Sequence, residues 1–315
     1  MSKAGKIILI VAGSMLGLGI ILTAIALFFG AKKGFAMDVA NMQYADADNM
    51  IEETVDLDEF DSLEMVVTSA DVIFTKGDAY RVHYKVLETR KPEIKQNGKS
   101  LSIKQEDYSS FFMNFGYSES DFYEITVPES AKDCKIGLSA TSGDFTIDGI
   151  NVSGSIVRTS GDLLLRDCDG GDLEVKATSG EMNFTNVNLN SLKTKTSSGD
   201  MRLENVTVKK LSVEKTSGLL YGSNVKAEEI YTKATSGDTE MHDLTADRID
   251  CKVTSGEMIL DMAGNADDYD FDLKVTSGDI VINGNEKEND FLKETGSDKK
   301  IKVDATSGDI GISIR

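Results

Sequence analysis

Residues 176–184 read KATSGEMNF, and 19 residues further on residues 195–203 read KTSSGDMRL. The recurrence continues on both sides of this pair. Glycines at positions 143, 161, 180, 199, 218, 237, 256, 278 and 308 are separated by 18, then five times by 19, then by 22 and 30 residues. Serine precedes each of these glycines, threonine stands before the serine except at Ser197, and an acid follows the glycine except at Leu219. Such a period marks a repeat architecture, in which one unit cannot bury its own apolar face and is stable only against its neighbours.

Counted from each glycine, apolar residues return seven and five positions before it and two, four and seven after it. Around Gly180 these are Leu173, Val175, Met182, Phe184 and Val187; around Gly256 they include Ile249, Cys251, Met258 and Leu260. Alternation by two is a strand period. The parity slips by one at Ser-Gly, which predicts a bend there if both apolar sets face one interior. Serine would fall on the inward parity with its hydroxyl on the turn's own backbone, glycine would tolerate a positive φ, and threonine and the acid would point outward. The expected fold is all-β: a β-solenoid of stacked two-strand coils of about 19 residues each. In LEMVVTSADVIF, residues 63–74, Ala70 takes the glycine's place with Leu63, Met65, Val67, Val72 and Phe74 in register. The stack is therefore predicted to begin near residue 60 and to hold about ten coils, roughly 45 to 50 Å in all.

Ahead of the repeats, residues 1–6 form a short tail and Ile7 to Phe29 is a 23-residue run without charge. That run is long enough to cross a bilayer as one helix, and it exceeds the apolar region of a signal peptide. It is read as an uncleaved N-terminal transmembrane anchor. Lys3 and Lys6 on one side match Lys32 and Lys33 on the other, so lysine count alone does not orient it. From residue 34 onward, 30 basic side chains face 53 acidic ones, a formal charge of −23. Such a body weighs against nucleic acid and anionic lipid as partners, and favours a single-pass protein of the cell membrane with its C-terminal domain extracytoplasmic. Gly13 and Gly17 in GxxxG spacing leave self-association through the anchor open.

Residues 30–56 read as an acidic spacer. Residues 57–130 hold the first coil, an alternating run from Tyr80 to Val86, and a hairpin in which Asn97-Gly98 separates Glu93-Ile94-Lys95 from Leu101-Ser102-Ile103. YSSFFMNFGYSESDFY, residues 108–123, follows with seven of the chain's 22 aromatics and is expected to cap the first end of the stack. Residues 131–315 form the TSGD-repeat solenoid. Within them NGNEKENDFLKETGSDKK, residues 283–300, reads as a polar loop, and Ile310, Ile312 and Ile314 as an unpaired final strand that would offer a docking edge.

Few residues invite chemistry. His83 and His242 are far apart, no His/Cys spacing suits a metal, and no glycine-rich loop has the phosphate-binding form. Cys134, Cys168 and Cys251 give no disulfide framework; Cys168 and Cys251 lie too far apart in a stack to bridge, and the pair Cys134 and Cys168 stays open. The sharpest candidate is the acidic column Asp144, Asp162, Glu181, Asp200, Asp238, Glu257, Asp279 and Asp309. Neighbouring carboxylates would repel by about 0.9 kcal/mol in water-like dielectric. Turn hydrogen bonds and hydration would offset this, or weak binding of a divalent cation such as calcium. A second column, Lys176, Lys195, Lys233, Lys252 and Lys274, reads as a solvated outer face that discourages further sheet pairing, with a grip on anionic wall polymer as the functional alternative.

The TSGD and TSGE corners, the alternating strands around them and ITVPES at residues 125–130 resemble the bacterial putative-adhesin family of β-strand repeats, a domain of unknown function. With one anchor at the start, the chain is similar to LiaG-like membrane-anchored members from Gram-positive bacteria, found near envelope-stress genes. The resemblance covers residues 60–315 and implies no catalytic residues and no cofactor. The expected function is a non-enzymatic, adhesin-like or structural envelope element in contact with an envelope protein, wall polymer or another copy of itself. The alternative is a regulatory or sensory component of the envelope-stress response acting through a membrane partner.

Overall fold

The structure, a computed structural model, describes residues 34–38, 43–45, 50–105, 112–116, 121–131 and 133–315. The predicted anchor, Ile7 to Phe29, lies outside them, as do Tyr108, Phe111 and Tyr117 of the aromatic segment. Among the described residues no helix is long and apolar enough to cross a membrane. Two units are distinguished. In the smaller, Gln43–Ala45, Gly34–Asp38 and Phe112–Gly116 form an antiparallel sheet in that order. The larger, Glu52–Val86, Arg90–Asp107 and Ser120–Arg315, is the solenoid.

Parallel ladders couple each residue to the one 19 positions on: Met182 pairs with Met201, Met201 with Leu220, Leu220 with Thr239 and Thr239 with Met258. Met182, Met201 and Met258 are at most 1% exposed, so the repeats share one continuous interior. Each fully buried side chain of this size contributes about 1.5 to 3 kcal/mol by leaving water.

The coil has three sides, where the sequence predicted two. In the strand Met182–Thr196 the buried residues are Met182 and Phe184, then Val187 and Leu189, then Leu192, Thr194 and Thr196. Parity slips at Thr185-Asn186 and again at Asn190-Ser191, and each slip bends the chain while keeping one face inward. Two inward positions escaped the pattern, nine after and three before the glycine. The first is alanine in two coils, at Ala227 and Ala246, and the second runs Ala177, Thr196, Lys215, Ala234 and Val253, so neither column reads as apolar throughout.

The corners are bonded from coil to coil. At Ser-Gly, Gly199 has φ of +111°, and a Cβ placed on it would lie 2.1 Å from the carbonyl oxygen of Gly180. The serines correct the sequence expectation, being half-exposed or exposed, with hydroxyls directed to the preceding coil: Ser217 donates to Ser197 O at 3.3 Å and Ser236 to Thr216 O at 3.2 Å. At the second corner Asp167, Asn186, Asn205, Asn224 and Asp243 all adopt φ of +51° to +55°, a conformation that Asn and Asp tolerate better than most residues. Their side chains form a ladder: Asn186 Nδ2 donates to Asp167 Oδ1 (2.7 Å), Asn205 to Asn186 (2.9 Å) and Asn224 to Asn205 (2.8 Å).

Order in the stack departs from order in the chain at both ends. A Cβ on Gly308 would meet Gly256 O, and one on Gly278 would meet Gly308 O, so the C-terminal coil is inserted between two coils that are consecutive in sequence. Ile310–Ile314 accordingly pairs with Met258–Met262 on one side and Ile280–Ile282 on the other. It is not an unpaired docking edge. The segment read as a polar loop instead closes the stack: Asn285–Lys287 and Asp290–Lys293 lie antiparallel to Ile280–Ile282 and Asp270–Ser277. The first end mirrors this. Ser62–Gly77 stacks on Cys134–Ser142 and Phe145–Asp148, while Ser100–Gln105 and Asp121–Pro128 add one further parallel layer outside it. Pro92–Asn97 and Arg81–Leu87 then pair antiparallel with that layer. The predicted hairpin is present, with its turn one residue later than expected, at Gly98-Lys99. The predicted spacer contributes the strand Met50–Asp56, which pairs with Arg81–Leu87. Antiparallel partners with short, charged outer strands end a parallel stack without presenting a long apolar edge.

Two cations sit inside the wall, three positions before the corner glycine. Arg158, 3% exposed, donates from Nη2 to Glu181 O at 2.9 Å, and its Nε and Nη1 are buried without a partner. Lys215, 6% exposed, donates to Gly218 O (2.6 Å) and Asp238 O (2.7 Å). Burial pushes the lysine down to about 8 against the partial pull of Asp238 and Asp200. The three cysteines are buried and free.

Gly199→Ala should lower stability by more than about 2 kcal/mol, since both the backbone conformation and the carbonyl of Gly180 oppose a side chain. Gly284→Ala, at φ +76° but with open space around it, should cost only about 1 kcal/mol; urea midpoints of the two variants measure the difference. For Lys215 the folded-state value lies below the ordinary 10.5, so between about pH 8 and 10.5 the unfolded chain binds the extra proton. Stability from this residue is therefore lowest below pH 8 and rises through that window. The wild-type urea midpoint should gain more between pH 8 and 10.5 than that of Lys215→Met.

Candidate functional site

The acidic column exists as predicted, although its spatial order is Asp144, Asp162, Glu181, Asp200, Leu219, Asp238, Glu257, Asp309, Asp279. Its carboxylates bond the next coil's backbone, not their own turn. Asp144 N–H donates to Asp71 Oδ1 (2.9 Å), Asp162 N–H to Asp144 (2.7 Å), Glu181 N–H to Asp162 (2.8 Å), Leu219 N–H to Asp200 (2.8 Å), Glu257 N–H to Asp238 (2.8 Å) and Asp279 N–H to Asp309 (3.0 Å). Charge-assisted bonds to backbone amides of this kind offset the repulsion between carboxylates one layer apart. Glu181 and Glu257 make no such bond among the described residues, because the extra methylene carries the carboxylate past the amide that aspartate reaches. Among the described residues no group of three or more His, Cys, Asp or Glu is placed to hold a metal ion.

The lysine column is exposed along its length, and several members pair with neighbouring acids: Lys176 with Glu174 (3.2 Å), Lys195 with Glu214 (3.7 Å) and Lys274 with Asp290 (3.8 Å). Exposed pairs like these contribute at most about 1 kcal/mol each. Two positions along the same strand runs the threonine column, and the exposed hydroxyls of Thr141, Thr159, Thr178 and Thr216 have no hydrogen-bond partner within the described residues. The two columns flank a shallow trough of about 530 Å³ that extends from Val66 to Thr216. Sequence reasoning identified both columns and missed the trough, whose floor is the backbone of the half-polar inward column that escaped the apolar pattern.

The histidines fall in separate places. His83 Nδ1 meets Thr54 Oγ1 at 3.0 Å near the first end. His242 Nδ1 meets Asp261 Oδ2 at 2.7 Å, with Ser223 its ladder neighbour on the other side. Serine, histidine and aspartate thus stand on successive coils, but Ser223 makes no hydrogen bond to the imidazole, whose Nε2 faces Glu240 at 4.0 Å. An acid–base relay needs the nucleophile bonded to the base, and here that link is missing.

The aspartate-specific ladder implies an outcome for single substitutions. Asp200→Ala should destabilise by about 0.5 to 1.5 kcal/mol by removing the acceptor for Leu219 N–H, while Glu181→Asp should stabilise by up to about 1 kcal/mol by supplying an acceptor for Asp200 N–H. Thermal and urea unfolding of both variants reads the opposite signs.

No curated protein matches the sequence. Among solved structures the chain is similar to one described as a putative lipid binding protein from Parabacteroides distasonis ATCC 8503, at 14% identity over 85% of this chain and 97% of that one, with a TM-score of 0.49. It is also similar to a putative adhesin from Bacteroides fragilis NCTC 9343, at 14% identity over 85% and 96% with a TM-score of 0.45. A putative cell adhesion protein from Clostridium sporogenes ATCC 15579 matches at 17% identity over 84% and 100%, with a TM-score of 0.31. A family model covers residues 60–313, which take in every corner from Ala70 to Gly308, and the chain belongs to the Toastrack DUF4097 family.

Proposed function

We propose that this protein is a non-enzymatic, adhesin-like element of the cell envelope, held to the membrane through Ile7 to Phe29 with its solenoid on the outer side. The observation that carries the reading is the bonding of two of the three corners to the next coil, by carboxylate and serine ladders at Ser-Gly and an asparagine ladder at the second corner, which fixes outward side chains in rows one coil apart. A surface of that regularity suits contact with an extended partner. Catalysis asks instead for a few groups converging on one point. The charge of −23 on residues 34–315 keeps the body apart from anionic lipid and favours projection away from the membrane.

Protease added to intact cells should digest the solenoid and leave a membrane-embedded fragment containing Ile7 to Phe29. Complete protection would place the body inside the cell and end the localisation. A version lacking residues 1–33 should keep surface binding; loss of the cellular phenotype together with retained binding would favour a regulator working through a membrane partner.

A further inference from the structure

Towards the C-terminal end of the stack the solenoid surface carries a pocket of about 790 Å³, within the size range of small-ligand sites. Its floor is the side of the coil that leads into the Ser-Gly corner, over four successive layers. One outward row there runs Lys210, Glu229, Arg248 and Lys300, each the ladder neighbour of the next. The row two residues further along the strands runs Ser212, Tyr231, Asp250 and Lys302. One wall is the turn at residues 294–299, which contributes Ser297 and Asp298. That wall is held in place: Thr295 N–H and Oγ1 both donate to Asp270 Oδ1 (2.6 and 2.8 Å), and Ser297 Oγ donates to Asp268 O (2.6 Å).

The charges in this pocket divide into those already matched and those left over. Lys210 pairs with Glu229 (3.3 Å), and Lys302 with Asp272 (3.6 Å) in the next layer. Arg248 and Lys300 make no ion pair among the described residues. They nevertheless stand directly opposite each other in the ladder, and like charges so placed repel. The acids on either side of them are engaged elsewhere, Glu229 by Lys210 and Asp270 by Thr295. Asp250 is unmatched in the opposite sense: its Oδ1 is buried without a hydrogen-bond partner, and its ladder neighbour Lys302 turns to Asp272. The Asp298 carboxylate also has no partner among the described residues. Two unmatched cations and two unmatched carboxylates thus share one pocket with the half-buried ring of Tyr231.

From this arrangement we infer that the pocket binds a dipeptide in its zwitterionic form, the terminal carboxylate against Arg248 and Lys300 and the ammonium group against Asp250 and Asp298. Arg248 and Asp250 lie two residues apart on one strand, so their Cα atoms are roughly 7 Å from each other, the reach of two extended residues and more than a single amino acid spans. The planar fork of arginine suits a carboxylate, and Tyr231 covers an apolar side chain. Net charge separates this ligand from simpler ions. An anion would approach against the field of a body with 53 acidic side chains, and a cation would meet Arg248 and Lys300; a neutral zwitterion is repelled by neither. The inference goes beyond the envelope reading and does not depend on it.

Calorimetry on the purified full chain at about pH 6.5, where an α-amino group is charged, tests the assignment. Alanyl-leucine with both ends free should bind, and its N-acetyl form, its C-terminal amide and free leucine should each bind at least tenfold more weakly. Arg248→Gln with Lys300→Gln should weaken alanyl-leucine at least tenfold and leave the amide, which lacks the carboxylate, unaffected. Asp250→Asn should weaken alanyl-leucine at least tenfold and leave the N-acetyl form unaffected. Melting temperatures equal to that of the wild type show that the fold persists; if a variant melts early, the blocked dipeptides decide on the wild-type chain alone. Equal binding of the N-acetyl form would reduce the pocket to an anion site, and equal binding of the amide to a cation site; either overturns the proposal. So would equal binding of leucine or of inorganic phosphate, affinity that survives both sets of substitutions, or no binding at all.

Discussion

The whole stack depends on how closely two backbones pass at the Ser-Gly corner. Each corner glycine lies against the carbonyl oxygen of the corner residue in the adjacent layer, Ala70 for Gly143 and a glycine for the rest, at a distance that admits no Cβ. That approach sets the coil-to-coil register, and the register in turn brings aspartate within reach of the next amide and asparagine within reach of the next asparagine. The side-chain ladders are consequences of a steric constraint on the main chain. They would have no partners if one corner drifted by a residue, because a one-residue slip also turns every buried side chain outward.

The same constraint explains the threonines and acids that share the motif. Three residues in a row must leave the interior at a tight vertex, and polar ones do so without cost. Aspartate does more than point at water, since it accepts the amide hydrogen that the turn leaves unpaired. Where a glutamate stands instead, the layer is held by its main-chain bonds and by the other two corners.

Much of this was legible in the sequence. The alternation around Gly180 and the constancy of the 19-residue interval gave strands, stacking and a buried methionine row, all of which Met182 and Met201 bear out. The third side was not read because its inward residues change character from coil to coil: a position that is Ala177, Thr196 and then Lys215 carries no hydrophobic signal, yet the wall tolerates each for its own reason of size or bonding. A signal for the second corner was present in Asn186, Asn205 and Asn224, a column as regular as the glycines, and only a positive φ makes sense of it. Neither end could be read from periodicity. Pairing between residues 52 positions apart, such as Met258 with Ile310, is set by which edges remain free after the regular coils have stacked.

That late pairing bears on how the molecule is completed. As a ribosome delivers the chain, the coil around Gly278 appears while its nearest available neighbour is the coil around Gly256, yet in the finished molecule residues 300–314 lie between them. Residues 300–314 are thus a keystone: the coil around Gly278 cannot take up its final seat until they too have emerged and been threaded between it and the coil around Gly256.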